Sequence, residues 1–117
     1  MSELHFSHRD HLRLAWDVIE RRGRSAAPVA IAEALRLLAA VHGQPLKYNE
    51  TLTLFWVRLV LHVRQARPDV LSFDAMLTEM PVLLDPQLPY RHWTREALFS
   101  DAARAGWTEP DLRPIPI

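Results

Sequence analysis

The chain has 117 residues, of which 49% are hydrophobic and 24% are charged, a composition typical of one globular domain that buries a core. Its 14 basic and 14 acidic side chains cancel, and polar residues interrupt its longest apolar stretch, which excludes a general attraction to nucleic acid or membranes. Cysteine is absent, which excludes disulfides and thiolate metal sites and fits a reducing, cytoplasmic environment. We therefore expect residues 1–117 to form a single domain.

The first predicted helix covers residues 8–22, after an N-terminal loop that contains His5. Ser7 is a suitable N-cap, and Asp10 follows at the position where a capping box carries a side-chain acceptor. Gly23 stands where glycine commonly ends a helix. Both ends of this helix are therefore marked in the sequence.

Two histidines lie on the apolar face of that helix. At 100° per residue, His8 and His11 share a side with Leu12 and Trp16. An imidazole that points towards a protein core needs a polar partner, because burial without one is unfavourable. These two positions therefore indicate a site.

The second and third predicted helices complete the set of main elements. The second covers residues 28–42, with Pro28 in its first turn and Gly43 just after its end. The third begins after the N-cap Asn49 and ends near Arg67. Because the third helix is apolar on most sides, we expect it at the centre of the fold.

The rest of the chain predicts short helices and an extended tail. Ser72 caps a short helix that Pro81 ends, and Thr94 and Ser100 are suitable caps for two further helices, expected at residues 95–99 and 101–105. Residues 109–117 are rich in proline and are expected to be extended. No strand-like alternation occurs. The predicted fold class is all-α: a small helical bundle with three main helices, shorter C-terminal helices and an extended Pro-rich tail.

Polar residues from three separate segments are expected to meet at one end of this bundle. The links between the main helices are short, which favours antiparallel neighbours. Alternating directions then place the start of the first helix, the end of the second and the start of the third together. The residues expected there are His8, His11, His42, Tyr48, Asn49, Glu50 and Thr51.

These residue types can form two kinds of site. His8, His11 and Glu50 are candidate catalytic residues for acid–base chemistry, and the same set of two histidines and one carboxylate can hold a divalent metal ion. Without a metal, this end of the bundle forms a pocket for a small molecule, which is the expected partner. The candidate ligand-binding residues are His42, Tyr48, Asn49, Thr51 and Arg58.

Arg58 lies on a narrow polar stripe of the third helix, deeper in the bundle than the other candidates. Apolar residues flank this stripe, so we expect the arginine to be at least partly buried and paired with a carboxylate. The acidic residues expected as partners are Asp85, Glu109 and Asp111.

The same residues also have non-catalytic interpretations. His8 and His11 can belong to a buried polar network that only fixes how three helix ends meet, and His42 can interact with the helix dipole. A different class of function is a protein–protein or homodimeric interaction module. In that case the tail, with Ile115 and Ile117, or an exposed stripe of the third helix packs on a partner or on a second copy.

Several segments resemble a family of small, uncharacterised bacterial helical proteins. Its pattern contains Phe-x-His-x-x-His-Leu-Arg-x-Ala-Trp, Lys-Tyr-His-x-Thr and Glu-Pro-Asp-Leu, which correspond to residues 6–16, 47–51 and 109–112. The resemblance covers nearly the whole chain and implies a bacterial protein, but it implies no activity. Asn49 departs from the pattern, which has histidine at that position. A metal-binding or basic role of that histidine is then lost or changed, although asparagine can still hydrogen-bond a ligand.

Overall fold

A computed structural model of the chain describes residues 7–117, and every regular element in that range is helical. This confirms the predicted all-α fold class. The loop predicted around His5, and Phe6 of the matched motif, lie outside the described residues. The α-helices are α1 (His8–Val41), α2 (Glu50–Ala66), α3 (Phe73–Glu79), α4 (Arg95–Leu98) and α5 (Asp101–Ala105), and 3₁₀ helices lie at Pro45–Lys47, Pro81–Leu84 and Leu88–Arg91.

Gly23 divides α1 into two arms. Its φ of 82° and ψ of 169° are unfavourable for residues with a side chain, so residues 8–22 and residues 24–41 are separate helical stretches. The predicted link of about five residues is wrong, because the second arm begins directly after Gly23. Pro28 lies near the start of this arm, where its missing N–H costs only one intrahelical hydrogen bond.

The predicted caps of the main helices are present. The Ser7 hydroxyl accepts from the Asp10 N–H at 3.2 Å, and the Asp10 carboxylate accepts from the Ser7 N–H at 2.9 Å, which completes a capping box. The Asn49 side-chain oxygen accepts from the Leu52 N–H at 3.0 Å. Gly43, with a φ of 70°, follows the end of α1. Local sequence signals therefore decide where these helices begin and end.

The central position of α2 organises the fold. This helix packs along α1 and against α5, and its buried residues point in several directions. Trp93 is fully buried, its ring meets that of Phe55 edge-on, and its indole N–H donates to the Thr108 carbonyl at 3.0 Å. Residues 107–117 contain no helix, as predicted for the tail, but they fold back over α2.

Charged side chains cover the outer faces of the two long helices. Arg13 and Asp17 pair across one turn of α1 at 3.3 Å, and Arg64 of α2 pairs with Glu20 of α1. Within residues 7–117, no helix combines the length and the apolar content that a bilayer crossing requires.

Candidate functional site

A cavity of about 490 Å³ lies between the two arms of α1 and the first half of α2. Ligand sites commonly measure about 300–1,000 Å³, so this cavity is large enough for a small organic molecule. The apolar part of its lining consists of Ala15, Ile31, Leu35, Leu38, Ala39, Leu52, Trp56 and Val57. The polar part consists of His11, His42, Gln44, Lys47, Tyr48, Asn49 and Thr53.

The structure brings four of the predicted site residues to this cavity: His11, His42, Tyr48 and Asn49. They come from the start of α1, from its end and from the turn before α2, which meet at one end of the bundle because the helices alternate in direction. The other four predicted residues are outside the lining: His8, Glu50, Thr51 and Arg58.

His8 contacts a backbone carbonyl instead of the cavity. Its Nε2 lies 2.7 Å from the carbonyl oxygen of Leu83, so the ring donates this hydrogen bond through Nε2–H. The imidazole also packs on Trp56, with the ring centroids 4.3 Å apart. His8 therefore ties the start of α1 to the segment that follows α3, which is a structural role.

His11 is the histidine of the first arm that reaches the cavity, and it is half-buried. Burial lowers the pKa of His11 below its usual value of 6.5, the neighbouring His8 lowers it further, and Asp10 opposes both effects. The His11 ring is therefore mostly uncharged at neutral pH. An uncharged imidazole carries one N–H donor and one nitrogen acceptor.

Tyr48, Glu50 and Arg36 form a chain of polar contacts beside the cavity. The Tyr48 hydroxyl donates to Glu50 Oε1 at 2.5 Å, and Arg36 donates to the same oxygen at 2.7 Å. Burial and the hydrogen bond to Glu50 raise the pKa of Tyr48 to about 12, so the phenol stays protonated. Glu50 therefore positions the tyrosine and does not contact the cavity, which corrects its prediction as a catalytic residue.

The Asn49 amide already has hydrogen-bond partners at both polar atoms. Its oxygen caps α2, and its nitrogen donates to the Leu98 carbonyl at 2.8 Å. The side chain is buried and joins α2 to the end of α4. The side chain at this position therefore holds two helices together.

Thr51 is fully buried beneath the C-terminal part of the chain. Its hydroxyl lies 2.9 Å from the Ala103 carbonyl and 2.8 Å from the Gly106 carbonyl, and it accepts from the Thr108 N–H at 3.1 Å. These contacts within the chain use the hydroxyl as donor and acceptor. The prediction that Thr51 binds a ligand is corrected accordingly.

The predicted environment of Arg58 is wrong. Its side chain is exposed, and among residues 7–117 it forms no ion pair. The guanidinium stacks on Trp107, 4.1 Å from the ring centroid. Two of the proposed partners are bonded elsewhere, since Glu109 accepts from the Trp107 indole at 2.7 Å and Asp111 accepts from Thr94. Arg58 therefore contacts an aromatic ring and remains exposed to solvent, so its charge needs no carboxylate partner.

The three residues proposed to hold a metal ion do not form one site. His8 turns to a backbone carbonyl and Glu50 to a guanidinium, so only His11 reaches the cavity. In the described part of the chain, no three histidine, cysteine, aspartate or glutamate side chains are grouped to bind a metal. The metal hypothesis is therefore not supported by the positions of these donors.

Three polar residues of the lining are not predicted by the sequence pattern: Gln44, Lys47 and Thr53. Lys47 is the only lysine of the chain, so the sequence alone could have singled it out as a candidate. Gln44 and Thr53 have no comparable signal, because their place in the lining depends on how the turn before α2 approaches α1.

Comparisons of the chain with protein family models, curated proteins and solved structures find no match. The resemblance to small bacterial proteins stays a prediction. The cavity and its lining are therefore the basis for assigning a function.

Proposed function

We propose that this protein binds a small organic molecule in the cavity between the arms of α1 and α2. The supporting observation is a space of about 490 Å³ in which apolar side chains from three segments face a few polar groups. This combination is typical of small-molecule sites. In such sites buried apolar surface supplies most of the affinity, and the polar groups set the orientation of the ligand.

The lining residues have distinct roles in this proposal. Leucines of α1 and the Trp56 ring offer apolar surface, each Å² of which contributes about 25 cal/mol when a ligand removes it from water. His11 provides an imidazole that is mostly uncharged near neutral pH. Because general-base catalysis also uses an uncharged imidazole, His11 is the residue through which proton transfer in this cavity would occur.

A fragment screen by protein-observed NMR on the full chain tests the proposal. Bound compounds are expected to shift the amide signals of lining residues, and the indole N–H of Trp56 is a direct probe. Ala39→Trp fills the cavity, whereas Ala40→Trp places the same side chain on the exposed neighbouring position. We expect the first variant to lose the shifts and the second to keep them.

Circular dichroism and thermal unfolding establish that both tryptophan variants are folded. Shifts confined to residues outside the lining contradict the proposal. Shifts that persist unchanged in folded Ala39→Trp contradict it as well, because a filled cavity cannot hold the compound.

Self-association is a second candidate function, favoured by an exposed face of α1. Val29, Leu37 and Val41 are 64%, 65% and 71% exposed and lie on one side of the second arm. Leu37 and Val41 lie one turn apart and form an adjacent exposed apolar pair, a feature that is common at interfaces. Of the tail residues predicted for such an interface, Ile117 is exposed, but Ile115 packs against the core.

Sedimentation velocity tests this second candidate over a range of protein concentrations. A dimer that Leu37→Glu dissociates supports the exposed face as the interface. A monomer at every concentration excludes self-association and leaves the cavity proposal unaffected.

A further inference from the structure

The charged groups in the cavity lining are unevenly distributed. The chain has equal numbers of acidic and basic residues, yet no aspartate or glutamate of residues 7–117 belongs to the lining. The lining does contain the only lysine of the sequence, Lys47. A space lined by a lysine and, within residues 7–117, by no carboxylate favours a negatively charged occupant.

The acidic side chain that contacts Tyr48 of the lining is already compensated. Glu50 accepts from the Tyr48 hydroxyl at 2.5 Å and from Arg36 at 2.7 Å, and its side chain is only 15% exposed. The Tyr48 proton is thereby committed to Glu50. The ion pair with Arg36 offsets the charge of Glu50 and so reduces its repulsion of an anion in the cavity.

The polar groups that have no partner in residues 7–117 are donors at the mouth of the cavity. Lys47, His42 and Gln44 are exposed, and their side chains form no hydrogen bond or ion pair with the described part of the chain. The amide of Asn49, by contrast, is bonded at both ends. A ligand therefore meets unpaired donors at the mouth and leucine side chains with Trp56 further in.

We infer that the cavity binds an amphipathic organic anion, with a carboxylate at the mouth and an apolar body between α1 and α2. Lys47 and His42 are the headgroup residues, and Leu35, Leu38 and Trp56 contact the apolar body. This inference rests on the proposed function, because it assigns a ligand class to the same cavity.

Isothermal titration calorimetry of the full chain with matched pairs of compounds tests this inference. The pairs are decanoate with decanol, and naphthoate with naphthamide, so that each pair differs mainly in the charge of its headgroup. We expect the carboxylates to bind at least about tenfold more tightly at low salt, because charge-assisted hydrogen bonds are stronger than neutral ones. Added salt should reduce this preference.

Variants at the mouth locate the headgroup. We expect Lys47→Gln to reduce the preference for carboxylates about tenfold and to leave the affinity for decanol and naphthamide unchanged. Lys47→Arg should restore the preference. Arg24→Gln removes a positive charge from an exposed position at the far end of the second arm and should have no effect.

The outcomes separate the inference from the proposed function. If the neutral compounds bind as tightly as the carboxylates, the ligand class is wrong and the cavity remains a binding site. If the preference survives in a Lys47→Gln, His42→Gln double variant, the headgroup assignment is wrong. If no compound of either pair binds, the inference is overturned, and the fragment screen decides the proposed function separately.

Discussion

Three histidines near the same end of the bundle have three different environments. His8 donates to a backbone carbonyl, His11 is half-buried in the cavity lining, and His42 is exposed at the mouth. The helical pattern places all three on the inner side, but the neighbours that decide their chemistry come from distant segments. A single residue type therefore has one structural role and two positions in the cavity lining.

His11 makes stability depend on pH in a way that can be measured. Its pKa in the folded protein is below 6.5, so the unfolded chain takes up a proton at a higher pH than the folded one. The free energy of unfolding should therefore decrease as the pH falls through 6.5. His11→Gln should show a shallower decrease between about pH 8 and about pH 5 in urea titrations.

His62→Gln, at an exposed position of α2, is the matched control for the loss of an imidazole. A slope that is equally steep in His11→Gln and in the unchanged chain contradicts the assignment of this pH dependence to His11.

Arg58 allows a second prediction about a single side chain. The guanidinium stacks on Trp107 and remains exposed, so Arg58→Met leaves no buried carboxylate without a partner. We expect a loss of at most about 1 kcal/mol in the free energy of unfolding, the usual contribution of an exposed cation–π contact. Urea denaturation measures this loss. A loss of about 3 kcal/mol or more would instead indicate a buried ion pair.

The helices themselves are specified by local sequence. The capping box at Ser7, the caps at Asn49, Ser72, Thr94 and Ser100 and the helix break at Gly23 all lie where the sequence predicts them. Each signal acts over three or four residues, so no tertiary contact is needed to recognise it. The length of the link after Gly23 is the exception, because the second arm starts there at once.

Gly23 should be sensitive to substitution by alanine. Its φ of 82° is unfavourable for any residue with a side chain, whereas an added methyl group meets no atom within 4 Å. Gly23→Ala should therefore destabilise the fold by about 1–3 kcal/mol through backbone strain alone. Gly106→Ala is the control, because Gly106 has an extended φ of −163° and equal space. Equal melting temperatures for the two variants contradict this explanation.

At the scale of the whole molecule, the C-terminal part closes the fold over α2. The Thr51 hydroxyl, the Trp93 indole and the Asp111 carboxylate each bond a partner in another segment. The Thr94 hydroxyl and N–H keep the pKa of Asp111 below its usual value. The tail is therefore an integral part of the structure.

Thr51 is the most direct test of this closure. Thr51→Val keeps the volume but removes the one hydrogen bond that the hydroxyl donates to the Ala103 and Gly106 carbonyls and the one it accepts from the Thr108 N–H, so we expect a loss of about 2–3 kcal/mol. Thr51→Ser keeps the hydroxyl and should lose less. Amide hydrogen exchange at Thr108 should become faster in Thr51→Val only. Unchanged protection of this amide would show that other contacts hold the tail.

How much of the candidate site could be predicted depends on the range of the interactions involved. Helix direction follows from short links, so the meeting of His11, His42 and Tyr48 at one end could be predicted. The pairing of Glu50 with Arg36 could not, because residues 14 positions apart are brought together only by packing of α1 on α2. For the same reason, the residue types suggested a metal site whose proposed ligands the structure does not bring together.

Local sequence patterns specify the all-α fold class and the helix breaks and caps, because these depend on contacts within a few residues. The short links between helices indicate the end of the bundle where polar residues gather. Tertiary structure alone decided which polar groups face the cavity and which are used in bonds within the chain. Hydrogen bonds such as those from His8 to Leu83 and from Asn49 to Leu98 join positions far apart in sequence. Their formation depends on how whole helices pack, which no local pattern encodes.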